Sequence, residues 1–122
     1  MTEVIFDSSF LMAVVERPTT WHEDLVEVIG NFQPVLLECV GAELLKLASG
    51  RGNRSRKARV VLDMTSNFKR LACGSARVDD EIVSAASSGK HLIATTDREL
   101  LKSARAAHVR VITLRMGRVA LG

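Results

Sequence analysis

Four short apolar runs constrain this chain most. They are Val4-Ile5-Phe6, Val35-Leu36-Leu37, Leu92-Ile93-Ala94 and Val109-Arg110-Val111-Ile112, and they show little polar alternation. A strand that faces water on one side alternates, whereas a strand buried on both faces does not. The segments between the runs carry helical period instead. Phe10 to Glu16 reads as a short helix stopped at Arg17-Pro18, and Thr19 or Thr20 then caps a helix with Trp21, Leu25, Val28 and Ile29 on one face, closed by Gly30. Val40, Leu44 and Leu47 mark a third helix that ends at Gly50. A longer one is expected from Ser55 to Leu71, with Val60, Val61, Met64, Phe68 and Leu71 inward. Asp79 or Asp80 opens a helix carrying Ile82, Val83, Ala85 and Ala86, and Asp97 opens another through Ala106. Apolar strands alternating with amphipathic helices predict an α/β domain with a parallel sheet covered on both faces. No linker or repeat interrupts the pattern, so residues 1–122 read as one domain.

With 47% hydrophobic and 25% charged residues, the chain can bury a core without covalent cross-links. Cys39 and Cys73 lie in apolar stretches without CxxC spacing, so they are expected to be buried free thiols in a reducing cytoplasm. No apolar run reaches the roughly 18 residues of a membrane span, and Met1-Thr2-Glu3 lacks the basic start of a secretory signal. The expectation is therefore a cytoplasmic protein with no membrane partner.

Seventeen Lys and Arg against 14 acids leave a formal charge of +3. Its distribution matters more than its size. Arg51, Arg54, Arg56, Lys57 and Arg59 crowd one segment, which suits a phosphate backbone or else a solvated loop entering a helix.

In an open parallel sheet, ligands bind beyond the carboxyl ends of the strands. Asp7 directly follows the first strand and Asp97 closely follows the third. Asp79 and Asp80 begin the helix before that third strand, and Glu43 lies one turn into the helix after the second. Carboxylates gathered at one edge repel each other by several kcal/mol at close range, on the order of 4 at 4 Å in a partly polar medium. A cation or a basic partner must offset that repulsion. Oxygen ligands without His or Cys favour Mg²⁺ or Mn²⁺ over zinc. An acidic centre beside a basic segment is the electrostatic layout of a nuclease, although a phosphatase would share the acids. Taken singly, Asp7, Asp80 and Asp97 also read as helix N-caps and Glu43 as a solvated helix residue.

The segments that carry these acids resemble the motifs of PIN-domain nucleases. Phe6-Asp7-Ser8-Ser9-Phe10-Leu11 is similar to the family's opening motif, and Val40-Gly41-Ala42-Glu43-Leu44-Leu45-Lys46-Leu47 to its second. Val78-Asp79-Asp80-Glu81-Ile82-Val83 with Ala85-Ala86 resembles the third, and Ala94-Thr95-Thr96-Asp97-Arg98-Glu99-Leu100 the fourth. Val111 to Arg115 looks like the closing strand. The resemblance implies a three-layer α/β/α fold around a parallel sheet of four or five strands. It also implies Mg²⁺- or Mn²⁺-dependent cleavage of RNA. The catalytic acids it points to are Asp7, Glu43, Asp80 and Asp97, with Asp79 as an additional metal ligand or a cap. Ser9 and Thr95 support the first and fourth motifs, while Arg51, Arg54, Arg56 and Lys57 are the candidate RNA contacts.

Within the family, the last two motifs look most like archaeal proteins related to nucleases that cut precursor ribosomal RNA. Toxins of toxin–antitoxin pairs share the same acids. An antitoxin, a ribosome-assembly protein or a second copy of the chain is therefore an expected partner besides RNA. The rivals are a non-catalytic RNA-binding module on the same fold and a phosphatase or receiver-like domain. The latter wants a lysine at a late strand end, and none stands there. His22, His91 and His108 are expected at surface or capping positions, Trp21 in packing, and Glu38 and Asp63 off the proposed edge, structural or solvated.

Overall fold

The computed structural model describes residues 1–17 and 20–122. Six strands form one sheet: β1 (Thr2–Phe6), β2 (Phe32–Leu37), β3 (Lys69–Leu71), β4 (Leu92–Ala94), β5 (Val111–Arg115) and β6 (Arg118–Leu121). Six helices flank it in a three-layer arrangement: α1 (Ser8–Glu16), α2 (Trp21–Ile29), α3 (Glu38–Ala48), α4 (Asn53–Met64), α5 (Val78–Gly89) and α6 (Arg98–Ala106). The sheet order is β3-β2-β1-β4-β5-β6, parallel throughout except for the antiparallel β5–β6 pair. Chain progression reverses between β1 and β4, and there the strand ends splay into a crevice.

The unalternating runs lie where their composition demands. Val4, Ile5, Phe6, Ile93 and Ala94 are fully buried, as are Val35 and Leu36. Phe6 is the aromatic hub. Its ring stands 5.3 Å from Phe68, 5.6 Å from both Phe10 and Trp21, and 6.3 Å from Phe32. These tilted and edge-on contacts tie α1, α2 and the β3 approach to the central strand. Trp21 is thus a packing residue, as expected.

Several expectations need correction. The parallel part of the sheet has five strands, as expected, and the antiparallel β6 adds a sixth. The helix expected over 55–71 stops at Met64, where the Thr65 hydroxyl donates back to the Val61 carbonyl at 2.9 Å. The chain then turns and forms β3, so Phe68 and Leu71 pack from outside the helix, and Val60 is half exposed rather than inward. β6 follows a two-residue turn in which Met116 (φ 51°) and Gly117 (φ 79°) are both left-handed, the pattern of a type I′ hairpin. Pro34 lies inside β2 instead of marking its start. Pro18 and Thr19, expected to stop one helix and cap the next, fall outside the described residues. Thr20 occupies the N-cap position of α2, but its hydroxyl donates to Asp24 at 3.2 Å instead of capping.

The cysteines also differ from expectation. Cys39 and Cys73 form a disulfide rather than remaining free thiols. The free-thiol ground for a reducing compartment is thereby removed. Among the described residues, no helix is long and apolar enough to cross a membrane.

Candidate active site

The carboxyl ends of β1 and β4 are locked together before any ligand is considered. Phe6 pairs with Ala94, the Asp7 amide donates to the Ala94 carbonyl at 2.9 Å, and the Thr95 amide donates to Ile112 at 3.0 Å. These bonds bring the ends of the first and fourth motifs side by side. Asp7 is nearly buried and sits at the N-cap position of α1, yet its side chain does not cap the helix. Its Oδ2 instead accepts from the Ser9 hydroxyl and, at 2.8 Å, from the fully buried Thr95 hydroxyl. Ser9 Oγ also accepts from the Thr96 amide, and Thr95 Oγ1 accepts from the Asp97 amide, both at 3.0 Å. A buried carboxylate bonded to two hydroxyls is held in one orientation, with Oδ1 left uncommitted.

Asp97 divides its carboxylate in a similar way. It caps α6 through Oδ1, which accepts from Glu99 at 2.8 Å and Leu100 at 3.4 Å, so the capping reading of this residue is correct as far as one oxygen goes. The other oxygen has no hydrogen-bond partner among the described residues.

Asp7 and Asp97 open onto a cleft of about 830 Å³, which Glu43 enters from α3 and Asp79 from α5. Burial and then the facing Asp7 and Asp79 push the Glu43 carboxyl above its ordinary range. Burial and then Asp7 and Asp97 likewise raise Asp79, against the pull of Arg77. The position of Asp79 in the first turn of α5 would by itself favour the charged form. Burial, together with repulsion within the cleft, outweighs that effect.

Asp79, not Asp80, joins the cluster. Asp80 is exposed and lines a separate shallow depression with Ser84, Ser87 and Ser103. Helical phase carries the signal that distinguishes them. Asp79 stands three and seven residues before the buried Ile82 and Ala86, and therefore shares their stripe, whereas Asp80 falls on the serine face. The motif comparison had favoured Asp80 because of the apolar residues that follow.

The basic segment is split by the fold. Arg54 and Lys57, three residues apart on α4, line the same cleft, with Lys57 in an ion pair to Glu16 of α1. Arg51 and Arg56 are exposed and stand outside the lining, while Arg59 Nη1 donates to the Ala48 carbonyl at 2.7 Å and ties α4 to the end of α3. Glu16, Met12 and Asn53, which lie outside the motifs, also line the cleft, together with Leu44 and Leu47 of the second motif. Of the lone histidines, His108 is exposed, whereas His91 is largely buried with its Nε2 3.0 Å from Glu3 Oε1 at the opposite edge of the sheet. Glu38 and Asp63 are exposed, as expected.

Among the described residues, no three Asp, Glu, His or Cys side chains are arranged as a ready-made ion site. What suits a hard divalent cation here is the donor chemistry. Among the described residues, Asp7 and Asp97 each keep one oxygen without a hydrogen-bond partner, the Glu43 and Asp79 carboxylates make no hydrogen bond, and no His or Cys lines the cleft.

A family model described as a PIN like domain matches residues 4–117, and the chain belongs to that family. It is similar to the structure of the PIN domain endonuclease Utp24, with 25% identity over 98% of this chain and 90% of that one and a TM-score of 0.82. PAE2754 from Pyrobaculum aerophilum is 22% identical over 83% of this chain and 78% of that one, with a TM-score of 0.54. The PilT N-terminus domain protein SSO1118 from Sulfolobus solfataricus P2 is 12% identical over 92% and 87% of the two chains, with a TM-score of 0.56. The last two likenesses concern the fold alone. No curated protein matches the chain significantly. PIN-domain membership together with likeness to an endonuclease supports a nuclease role in general terms.

Proposed function

We propose that the protein is a Mg²⁺- or Mn²⁺-dependent endoribonuclease that hydrolyses RNA phosphodiester bonds, in RNA processing within the cytoplasm. One observation carries this reading: four carboxylates, two from helices and two from strand-to-helix turns, line one cleft together with Arg54 and Lys57. Asp7, Glu43, Asp79 and Asp97 would hold the cation, which when bound polarises a phosphoryl oxygen and lowers the pKa of bound water. The chain's own residues supply the rest. Ser9 and Thr95 fix the orientation of Asp7, Asp97 is fixed by capping α6, and Arg54 with Lys57 attracts the RNA backbone toward the acids. RNA is the proposed substrate because the four motifs resemble those of RNA-cutting members of the family.

The test is cleavage of a mixed pool of structured and single-stranded RNAs with Mn²⁺, Mg²⁺ or EDTA, beside single-stranded DNA and the Asp7→Asn variant. Metal-requiring cuts in RNA that vanish in the variant are expected. RNA binding without cleavage under any metal would replace this reading with the non-catalytic module, and equal cutting of DNA would overturn the RNA assignment.

A further inference from the structure

The chain's two cysteines lie on the two segments that deliver Glu43 and Asp79. Cys39 is in the first turn of α3, four residues before Glu43, and Cys73 lies six residues before Asp79. Their Cα atoms are 6.0 Å apart across a sequence separation of 34, and the Cys39 amide donates to Cys73 Sγ at 3.3 Å. The stretch from Cys73 to α5 is largely exposed, but it has a second anchor, because the Gly74 amide donates to the Glu81 carboxylate in the first turn of α5. A covalent and hydrogen-bonded tether thus runs from α3 through the disulfide to the turn that carries Asp79.

The tether spans the site. α3 packs on α4 and β2, whereas α5 packs on α6 and β4, on opposite sides of the central strand β1. Glu43 and Asp79 repel each other, so without a link the two segments are biased apart. We propose that Cys39 and Cys73 are positioning residues whose disulfide sets the separation of Glu43 and Asp79, so that its reduction weakens divalent-cation binding in the cleft. This inference rests on the metal-binding reading of the cleft.

Both cysteines are half-buried and within reach of a small dithiol. A thiolate of the dithiol attacks one cysteine sulfur, and the S–S bond breaks with its electron pair leaving on the other. The second thiol of the reductant then releases the mixed disulfide. The protein gains two electrons and two protons, and the dithiol becomes a disulfide.

The experiment is a calorimetric Mn²⁺ titration of three forms of the full chain. These are the oxidised protein, protein reduced with a phosphine that is then removed under nitrogen, and the Cys39→Ser/Cys73→Ser variant. Thiol alkylation followed by mass measurement fixes the redox state of each. Roughly fivefold or greater tightening is expected in the oxidised form alone, at the lower end of ordinary coupling between sites. The variant should match the reduced protein and not respond to the phosphine. RNA binding in EDTA, which depends on Arg54 and Lys57, should be unchanged in all three, as a merely structural role would not leave it. Equal Mn²⁺ affinity in the oxidised and reduced protein would overturn the inference and leave the metal site standing. So would cysteines that alkylate fully without reduction. Absence of Mn²⁺ binding in every form would overturn the metal reading itself, and this inference with it.

Discussion

Adjacent acids on one helix give the sharpest test of the site. Successive helical residues point about 100° apart, so Asp79 and Asp80 cannot both face one cleft. Asp79 is half-buried with Asp7 and Asp97 among its perturbing neighbours, while Asp80 is exposed beside serines. Asp79→Asn removes one of the four proposed anionic ligands. Transition-state stabilisation by a bound cation amounts to several kcal/mol, and a loss of about 3 kcal/mol is a fall of roughly 100-fold in kcat/KM. Asp80→Asn changes an exposed, screened charge and is expected to stay within about threefold. The assay is Mn²⁺-dependent cleavage of one fixed RNA by both variants, each paired with a stability curve in EDTA.

The stability arm carries its own sign. Because the Asp79 carboxyl is raised in the folded chain, the folded state binds more protons than the unfolded state between the two pKa values. Stability therefore falls as pH rises through that window, and the penalty is fully present above the raised pKa. Asp79→Asn removes it, so the variant should be more stable than the parent at neutral pH in EDTA. Its advantage should shrink as pH falls through that window and be absent below the ordinary carboxylate range. Asp80 stands outside the cleft and is the smallest of the charges acting on Asp79, so Asp80→Asn should give a much smaller gain. Equal loss of cleavage in both variants would refute the placement of Asp79 as the third acid. So would an Asp79→Asn protein that cleaves normally or is less stable at pH 7.

Thr95→Val keeps the shape of a fully buried side chain but removes its bonds to Asp7 and the Asp97 amide. Denaturation should show a loss of about 1–3 kcal/mol and Mn²⁺ titration a roughly 10–100-fold weaker site, with Thr95→Ser restoring most of both. Arg54→Ala should weaken RNA binding in EDTA and reduce the slope of log affinity against log salt by about 1, with kcat at saturation little changed. Arg56→Ala, outside the cleft, should change cleavage least, as a salt series on both variants would show. Met116→Asn should stabilise the β5–β6 hairpin by up to about 1 kcal/mol, because a fully exposed methionine held at φ 51° bears a left-handed cost that asparagine largely avoids. Urea midpoints would register it.

What was legible in the sequence is what depends on burial. β1, β4 and the end of β2 announced themselves through unbroken apolar runs, and with them the placement of Asp7, Glu43 and Asp97. β3 was hidden because Lys69 and Arg70 are exposed on an edge strand, so its residues read as the tail of a helix. That single miss also concealed the disulfide. Leu37 pairs with Leu71 across β2 and β3, and each cysteine lies two residues beyond its leucine. Once the strands are paired the sulfurs are neighbours; without β3 they are two isolated residues 34 positions apart. β6 was missed for a different reason, since its turn places methionine where a hairpin signal would show asparagine or aspartate.

Asp7 and Asp97 show why helix caps and metal ligands cannot be told apart by residue type. Both stand at N-cap positions. Asp97 spends one oxygen on the amides of α6 and leaves the other free, so a single residue satisfies the structural and the functional reading together. Asp7 caps nothing and is held by two hydroxyls, one from its own helix and one from the end of β4. The Thr95 that orients Asp7 also accepts from the Asp97 amide, so one buried hydroxyl sets both carboxylates at once. A cap needs only its own helix, whereas this arrangement requires two crossing motifs separated by 88 positions to agree on the direction of one carboxylate. Helix stability alone does not call for that agreement, whereas the proposed cation, shared between the ends of β1 and β4, would.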